Sequence, residues 1–224
     1  MVDVNKILGS FLGSGAATGF AGGLAGGLAS NMLTTKSGRK MGKNALKLGG
    51  VAAVGALAYT AYQRYSNTQG DTAIAQPAET PAAVTPAPAG SAFMPAEDDQ
   101  VANEVLGLTL VRAMIAVARA DGRLDAQESQ AIFQRIETLG LDSASQSLLV
   151  QEMGHPVDVD AIVNSANGSP EIAAEIYVAS LLAVDVDTAA EKAYLSMLAA
   201  RLQLPPDLVT ELESQVEAQR TFAQ

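Results

Sequence analysis

Six carboxylates stand in two similar settings along this chain: Asp121, Asp125 and Glu128, then Asp185, Asp187 and Glu191. Each group follows an apolar run and opens a helical pattern. Oxygen-only donors of this kind suit a hard divalent cation, Ca²⁺ or Mg²⁺, rather than a transition metal. Gly122 after Asp121 would let the first turn bring backbone carbonyls towards an ion. The spacing is not that of the twelve-residue EF-hand loop. Helix capping competes with the metal reading. Asp125-Ala-Gln-Glu128 and Thr188-Ala-Ala-Glu191 both have capping-box form, in which the first side chain and the fourth satisfy each other's backbone amides. Capping accounts for Asp125, Glu128, Thr188 and Glu191. It leaves Asp121, Asp185 and Asp187 unexplained.

Little else in the sequence could do chemistry. There is no Cys and no Trp, and His155 is the single histidine, so thiolate, His-zinc and Ser-His-Asp chemistry lack material. His155 lies between Gly154 and Pro156 and reads as a turn residue. Met114, Met153 and Met197 fall at helical spacing with Leu and Ile and read as core. Arg112, on an otherwise apolar face, calls for an internal carboxylate partner. No catalytic residue and no organic cofactor are expected.

The elements that must position these residues are helices. Val101, Val105, Leu108, Arg112 and Ile115 step by three and four; Ile132, Ile136 and Leu139 mark a second helix, and Leu148, Leu149 and Met153 a third. A short helix near 160–166 stops at Asn167-Gly168. Ser169-Pro170-Glu171 starts the next, with Ser as N-cap and Pro at the first position. Leu195, Leu198 and Leu202 mark another, and Pro205-Pro206 opens the last. Glu128, Ile132, Leu139 and Leu141 recur 63 residues later as Glu191, Leu195, Leu202 and Leu204. This helix–acidic turn–helix repeat predicts two halves packed about a pseudo-twofold axis, with the acidic turns close together. The fold class expected is all-α, with about seven helices in residues 101–224.

Charge divides the chain. Residues 1–70 hold seven Lys/Arg against Asp3, a balance of +6, whereas residues 97–224 hold seven against twenty-one Asp/Glu, a balance of −14. Residues 1–66 read as a Gly-rich membrane anchor of one or two apolar helices. Residues 7–35 and 48–63 carry no charge, and Lys36, Arg39, Lys40, Lys43 and Lys47 lie between them. Gly15, Gly19, Gly23 and Gly27 form a glycine zipper, the small-residue stripe through which membrane helices pack or oligomerise. The basic cluster should stay cytoplasmic, which puts the acidic domain on the periplasmic side of an inner membrane; a re-entrant or peripheral hairpin would reverse this. Residues 67–100 hold five of the nine prolines and read as a disordered Pro/Ala-rich linker. Nucleic acid is a poor partner for so acidic a domain.

The Asp121-Gly122 turn with Glu128, its degenerate copy, and the helical spacing resemble the TerB-like tellurite-resistance domain. Lys36-Ser-Gly-Arg-Lys40 followed by Gly49-Gly50-Val51 resembles the YebE-type family of bacterial inner-membrane proteins of unknown function. The resemblance implies a compact helical domain with acidic turns proposed to chelate metal, no established catalytic activity, and an envelope or stress-response setting. Val186 replaces the glycine in the second copy, which weakens metal binding there. The function expected is a membrane-tethered, non-enzymatic helical module that binds a cation or a protein partner. The alternatives are a metal-dependent hydrolase and a purely oligomerising scaffold.

Overall fold

The structure is a computed structural model that describes residues 4–13, 36–70, 84–96, 98–120, 142–184, 186 and 188–223. Among these, every regular element is a helix: α1 Val4–Gly13, α2 Lys36–Gly70, α3 Gln100–Ala118, α4 Ser143–Gly154, α5 Val159–Ser165, α6 Pro170–Ala183, α7 Ala189–Arg201 and α8 Pro206–Ala223. The all-α expectation holds.

The hydrophobic centre is α6. From Ala173 to Ala183 all of its residues are buried, as expected of a helix apolar on every side. It packs against α2, α3, α7 and α8. Its start is the one read from sequence: the Ser169 side chain caps the Ile172 amide and Pro170 follows. Helix α5 before it ends where expected, because Asn167 (φ 49°) and Gly168 (φ 75°) both turn left-handed. The α7 terminus makes the same exit with Gln203 at φ 56°, and the Leu204 amide returns to the Ala199 carbonyl at 3.1 Å, closing a Schellman motif without glycine.

Helix α2 carries the uncharged stretch 48–63. Residues 48–63 read as a membrane-spanning stretch, yet Val51, Val54, Ala58 and Ala61 are fully buried against α1, α6 and α8. The stripe of small and β-branched residues that resembles a lipid-embedded face fits equally well between water-soluble helices, and periodicity cannot distinguish the two. Helix α1 supplies Val4, Ile7 and Leu8 to the same core and crosses α2 where Gly9 meets Gly50, with room for no side chain at Gly50 against Leu8. At the neighbouring contact, a Cβ at Gly107 of α3 would lie 2.8 Å from Val4 Cγ1. Among the described residues, α3 is the helix long and apolar enough to cross a membrane, although 61% of that window is buried within the protein.

Part of the expected linker is also ordered on this body. Residues 84–96 lie as a strap over α2: the Thr85 amide donates to Thr60 Oγ1 at 3.0 Å, and Phe93 is buried edge-on to Tyr59 and Tyr62, at centroid distances of 5.5 and 5.4 Å. The glycine stripe at 15–27, residues 71–83 and the helix expected near 132–139 lie outside the described residues.

Candidate functional site

Of the six carboxylates singled out by sequence, Asp121, Asp125, Glu128, Asp185 and Asp187 lie outside the described residues. Glu191 is described and is a capping residue. Its Oε2 accepts hydrogen bonds from the Thr188 amide (3.1 Å) and hydroxyl (2.9 Å), and its own amide donates to Thr188 Oγ1 at 3.1 Å. The box predicted at 188–191 is therefore formed, and Glu191 is buried within it. Among the described residues, no three His, Cys, Asp or Glu side chains converge on a common point. The helices preceding the two acidic turns, α3 and α6, do lie against each other. Arg112 finds its carboxylate in Glu152 of α4 rather than in an acidic turn. His155 caps the end of α4, and its carbonyl accepts from Arg119 Nη1 at 2.7 Å.

A different carboxylate stands out. Glu175 of α6 has no solvent exposure, and neither of its carboxyl oxygens has a hydrogen-bond partner among the described residues. Burial pushes its carboxyl well above the usual carboxylate range, since removal from water penalises the charged form. Burial thus favours the protonated acid over the carboxylate.

The immediate surroundings come from α2 and the strap. A Cβ built on Gly55 would lie 2.8 Å from Glu175 Oε1 and 2.5 Å from the Phe93 carbonyl oxygen. Glycine at 55 therefore creates the gap into which two oxygen atoms from different elements converge. Both are hydrogen-bond acceptors when Glu175 is ionised; the protonated acid adds a donor. Helix α8 contributes the fully buried Gln215, whose amide is also without a partner among the described residues. It also contributes Glu213, which accepts from the Tyr177 hydroxyl at 2.8 Å. Burial, then that bond, raises the Tyr177 phenol far above its ordinary value. Burial alone pushes Tyr194 of α7 up to about 12. The arrangement can hold or release one proton at the Glu175 carboxyl.

The sequence reading of α6 rests on its Ser169-Pro170-Glu171 start and passes over Glu175. The signal was available: Glu175 is three residues after Ile172 and four before Ala179, so it occupies the apolar stripe itself. An acidic residue in that register is either buried or marks a break in the face.

A relative from Yersinia enterocolitica, described as an uncharacterized protein in the ampR 5' region, is 26% identical over 111 residues, covering 50% of this chain and 79% of its own length. No solved structure matches the chain with significance. A family profile described as "Protein of unknown function (DUF533)" matches residues 18–216, nearly the whole of the helical body, and the chain belongs to that family.

Proposed function

We propose that this chain is a non-catalytic helical module working at a membrane surface, attached through residues 14–35, with its acidic body on the same side as its basic cluster. The observation that carries this reading is the crossing of α1 and α2 at Gly9 and Gly50. Both helices belong to one core, and the 22 residues that join them in sequence, between Gly13 and Lys36, carry no charge. As helix they extend about 33 Å, enough for one crossing of a hydrocarbon layer of ~30 Å but not two. Leaving and returning on one side limits each leg to roughly half that length, so the segment can dip into a leaflet without traversing it. The basic cluster at 36–47 begins α2 and favours the cytoplasmic face. This reading is the re-entrant arrangement, with the body in the cytoplasm in place of the periplasmic side expected for a spanning anchor. The inner membrane is the expected setting.

The chain has no cysteine, so a single probe can be introduced. Ser214→Cys on the exposed side of α8 should resist a membrane-impermeant maleimide in intact bacterial cells and react after lysis. Membrane recovery should fall when Phe20, Leu24 and Leu28 are all replaced by Asp. Labelling in intact cells would refute the cytoplasmic placement; unchanged fractionation of the triple variant would refute attachment through this segment.

The TerB-like resemblance adds a divalent-cation role for Asp121, Asp125, Glu128, Asp185 and Asp187, with Glu191 already engaged in capping. A rise in melting temperature of the full chain on adding millimolar Ca²⁺ or Mg²⁺, lost in the Asp121→Asn, Asp185→Asn double variant, would support it. Partners expected on this reading are a membrane and either a protein or a second copy through the glycine-rich stretch.

A further inference from the structure

We propose that Glu175 is a proton-operated latch for the strap formed by residues 84–96: the strap is seated on α2 while the carboxyl carries its proton and lets go when the carboxyl ionises. Two acceptor oxygens, Glu175 Oε1 and the Phe93 carbonyl, converge over Gly55. No described group donates to the carboxyl. With the proton present, the acid is neutral and has its own donor beside the gap at Gly55 that the Phe93 carbonyl also borders. Without it, a negative charge is buried in a site whose strap side offers a carbonyl oxygen, an acceptor like itself. A buried, uncompensated charge is strongly unfavourable.

The strap is the element best able to yield. Among the described residues, the main neighbours of α6 are helices built into the core, whereas residues 84–96 have only turns and an isolated bridge. The strap is held by the Thr85–Thr60 hydrogen bond and by Phe93 among tyrosines, and its end is fixed where Asn103 Nδ2 of α3 donates to the Ala96 carbonyl at 2.9 Å. Its sequence contains no titratable side chain, so a pH response in it must come from what it covers. Among the described residues, the other titratable groups on the elements packed against α6 have partners elsewhere or are buried phenols. On α2, Tyr62 faces Glu171. On α8, Glu213 accepts from Tyr177, and Arg220 binds the Leu181 and Val184 carbonyls. On α7, Tyr194 is a buried phenol. On α3, the buried set is apolar apart from Thr109, while Arg112 goes to Glu152 and Arg119 to the Met153 and His155 carbonyls. None of them bonds Glu175, so its proton affinity follows its burial, which strap opening would lessen on the Gly55 side.

The test uses the full chain with spin labels on Ala92→Cys in the strap and Gln63→Cys on α2, both exposed positions, read as an inter-label distance distribution between pH 4.5 and 9. The open-to-closed ratio should rise about tenfold per pH unit between the open-state and closed-state titration points of one carboxyl. Glu175→Gln should keep the short distance at every pH. Gly55→Ala, which puts a methyl group against the Phe93 carbonyl, should give the long distance at every pH. The ¹³C carboxyl signal of Glu175 in the unsubstituted chain should titrate with the same midpoint as the distance, an outcome independent of how the variants fold. The latch is overturned by a distance that does not change with pH, by pH dependence persisting in Glu175→Gln, or by a Glu175 midpoint separate from the opening. It is equally overturned if Na⁺, K⁺, Mg²⁺ or Ca²⁺ closes the strap at pH 9, which would make the site one for a cation.

Discussion

Arg112 on α3 and Glu152 on α4 are joined by two parallel hydrogen bonds, Nε to Oε2 and Nη2 to Oε1, both 2.8 Å. The fork geometry is the strong form of this ion pair. The Arg112 bond, ahead of the opposing effect of burial, holds Glu152 below its ordinary value. Nearly half of the Arg112 side chain is in solvent, so screening limits its worth. Arg112→Ala or Glu152→Gln should cost about 0.5–1 kcal/mol, measured by urea unfolding at pH 7. Because the folded value of Glu152 is depressed, this contribution is present above its unfolded value and fades as pH falls through the folded one. Equal losses at pH 7 and at acid pH would disprove the linkage.

Glu175 has the opposite sign. Its folded value is raised by burial, so the folded state binds more protons than the unfolded chain as soon as pH exceeds the unfolded value near ~4.3. Stability should therefore be full below that point and fall by up to about 1.4 kcal/mol per pH unit as pH rises towards the folded value. Glu175→Gln should remove that slope, stabilising the protein at pH 8 and leaving it unchanged near pH 4. Melting curves across this range decide the matter; a less stable variant at pH 8 would show that the charged form is the one the fold requires.

Gly50 and Gly55 are both close-approach positions on α2. Alanine at either gains up to ~1 kcal/mol of helix propensity but inserts a methyl group into backbone, at Gly50 against Leu8 and Gly9 and at Gly55 against the Phe93 carbonyl. Overpacking should exceed the gain and leave a net loss of about 1–3 kcal/mol. Hydrogen exchange should separate the two: Gly50→Ala exposes α1, and Gly55→Ala exposes the Thr85 amide. Stabilisation by either substitution would show that the approach is looser than described.

Thr188→Ala should cost about 1 kcal/mol of stability through loss of the α7 cap. If Glu191 serves that cap and no ion, the loss should be the same with millimolar Ca²⁺ or Mg²⁺ as with chelator. A loss that depends on the cation would reassign Glu191 as a ligand.

Several helix boundaries were legible from local chemistry, although the N-caps Asp99, Asp142 and Asp158 went unread. Ser169-Pro170, Asn167-Gly168, Thr188 with Glu191, and Pro205-Pro206 all act as read, because caps and turns are decided within four residues. The fate of α2 was not legible. Val51, Val54 and Ala58 are as suited to a lipid face as to a contact with α6 and α8, and only tertiary packing chooses. The same holds for the strap: Phe93 is one aromatic in a Pro/Ala-rich stretch, and its anchor on Tyr59 and Tyr62 depends on residues some thirty positions earlier. Glu175 was hidden for a further reason. Its burial follows from neighbours on four elements, although its register along α6 already pointed inward.

Arg220, close to the end of α8, places Nη2 on the Leu181 carbonyl at 2.6 Å and also on the Val184 carbonyl. The final turn of the most buried helix is thereby fastened from nearly forty residues downstream. A protease cut or frameshift just ahead of Arg220 would leave the carbonyls of that turn without their cationic donor. Trimming here should loosen the interior and not merely shorten the tail.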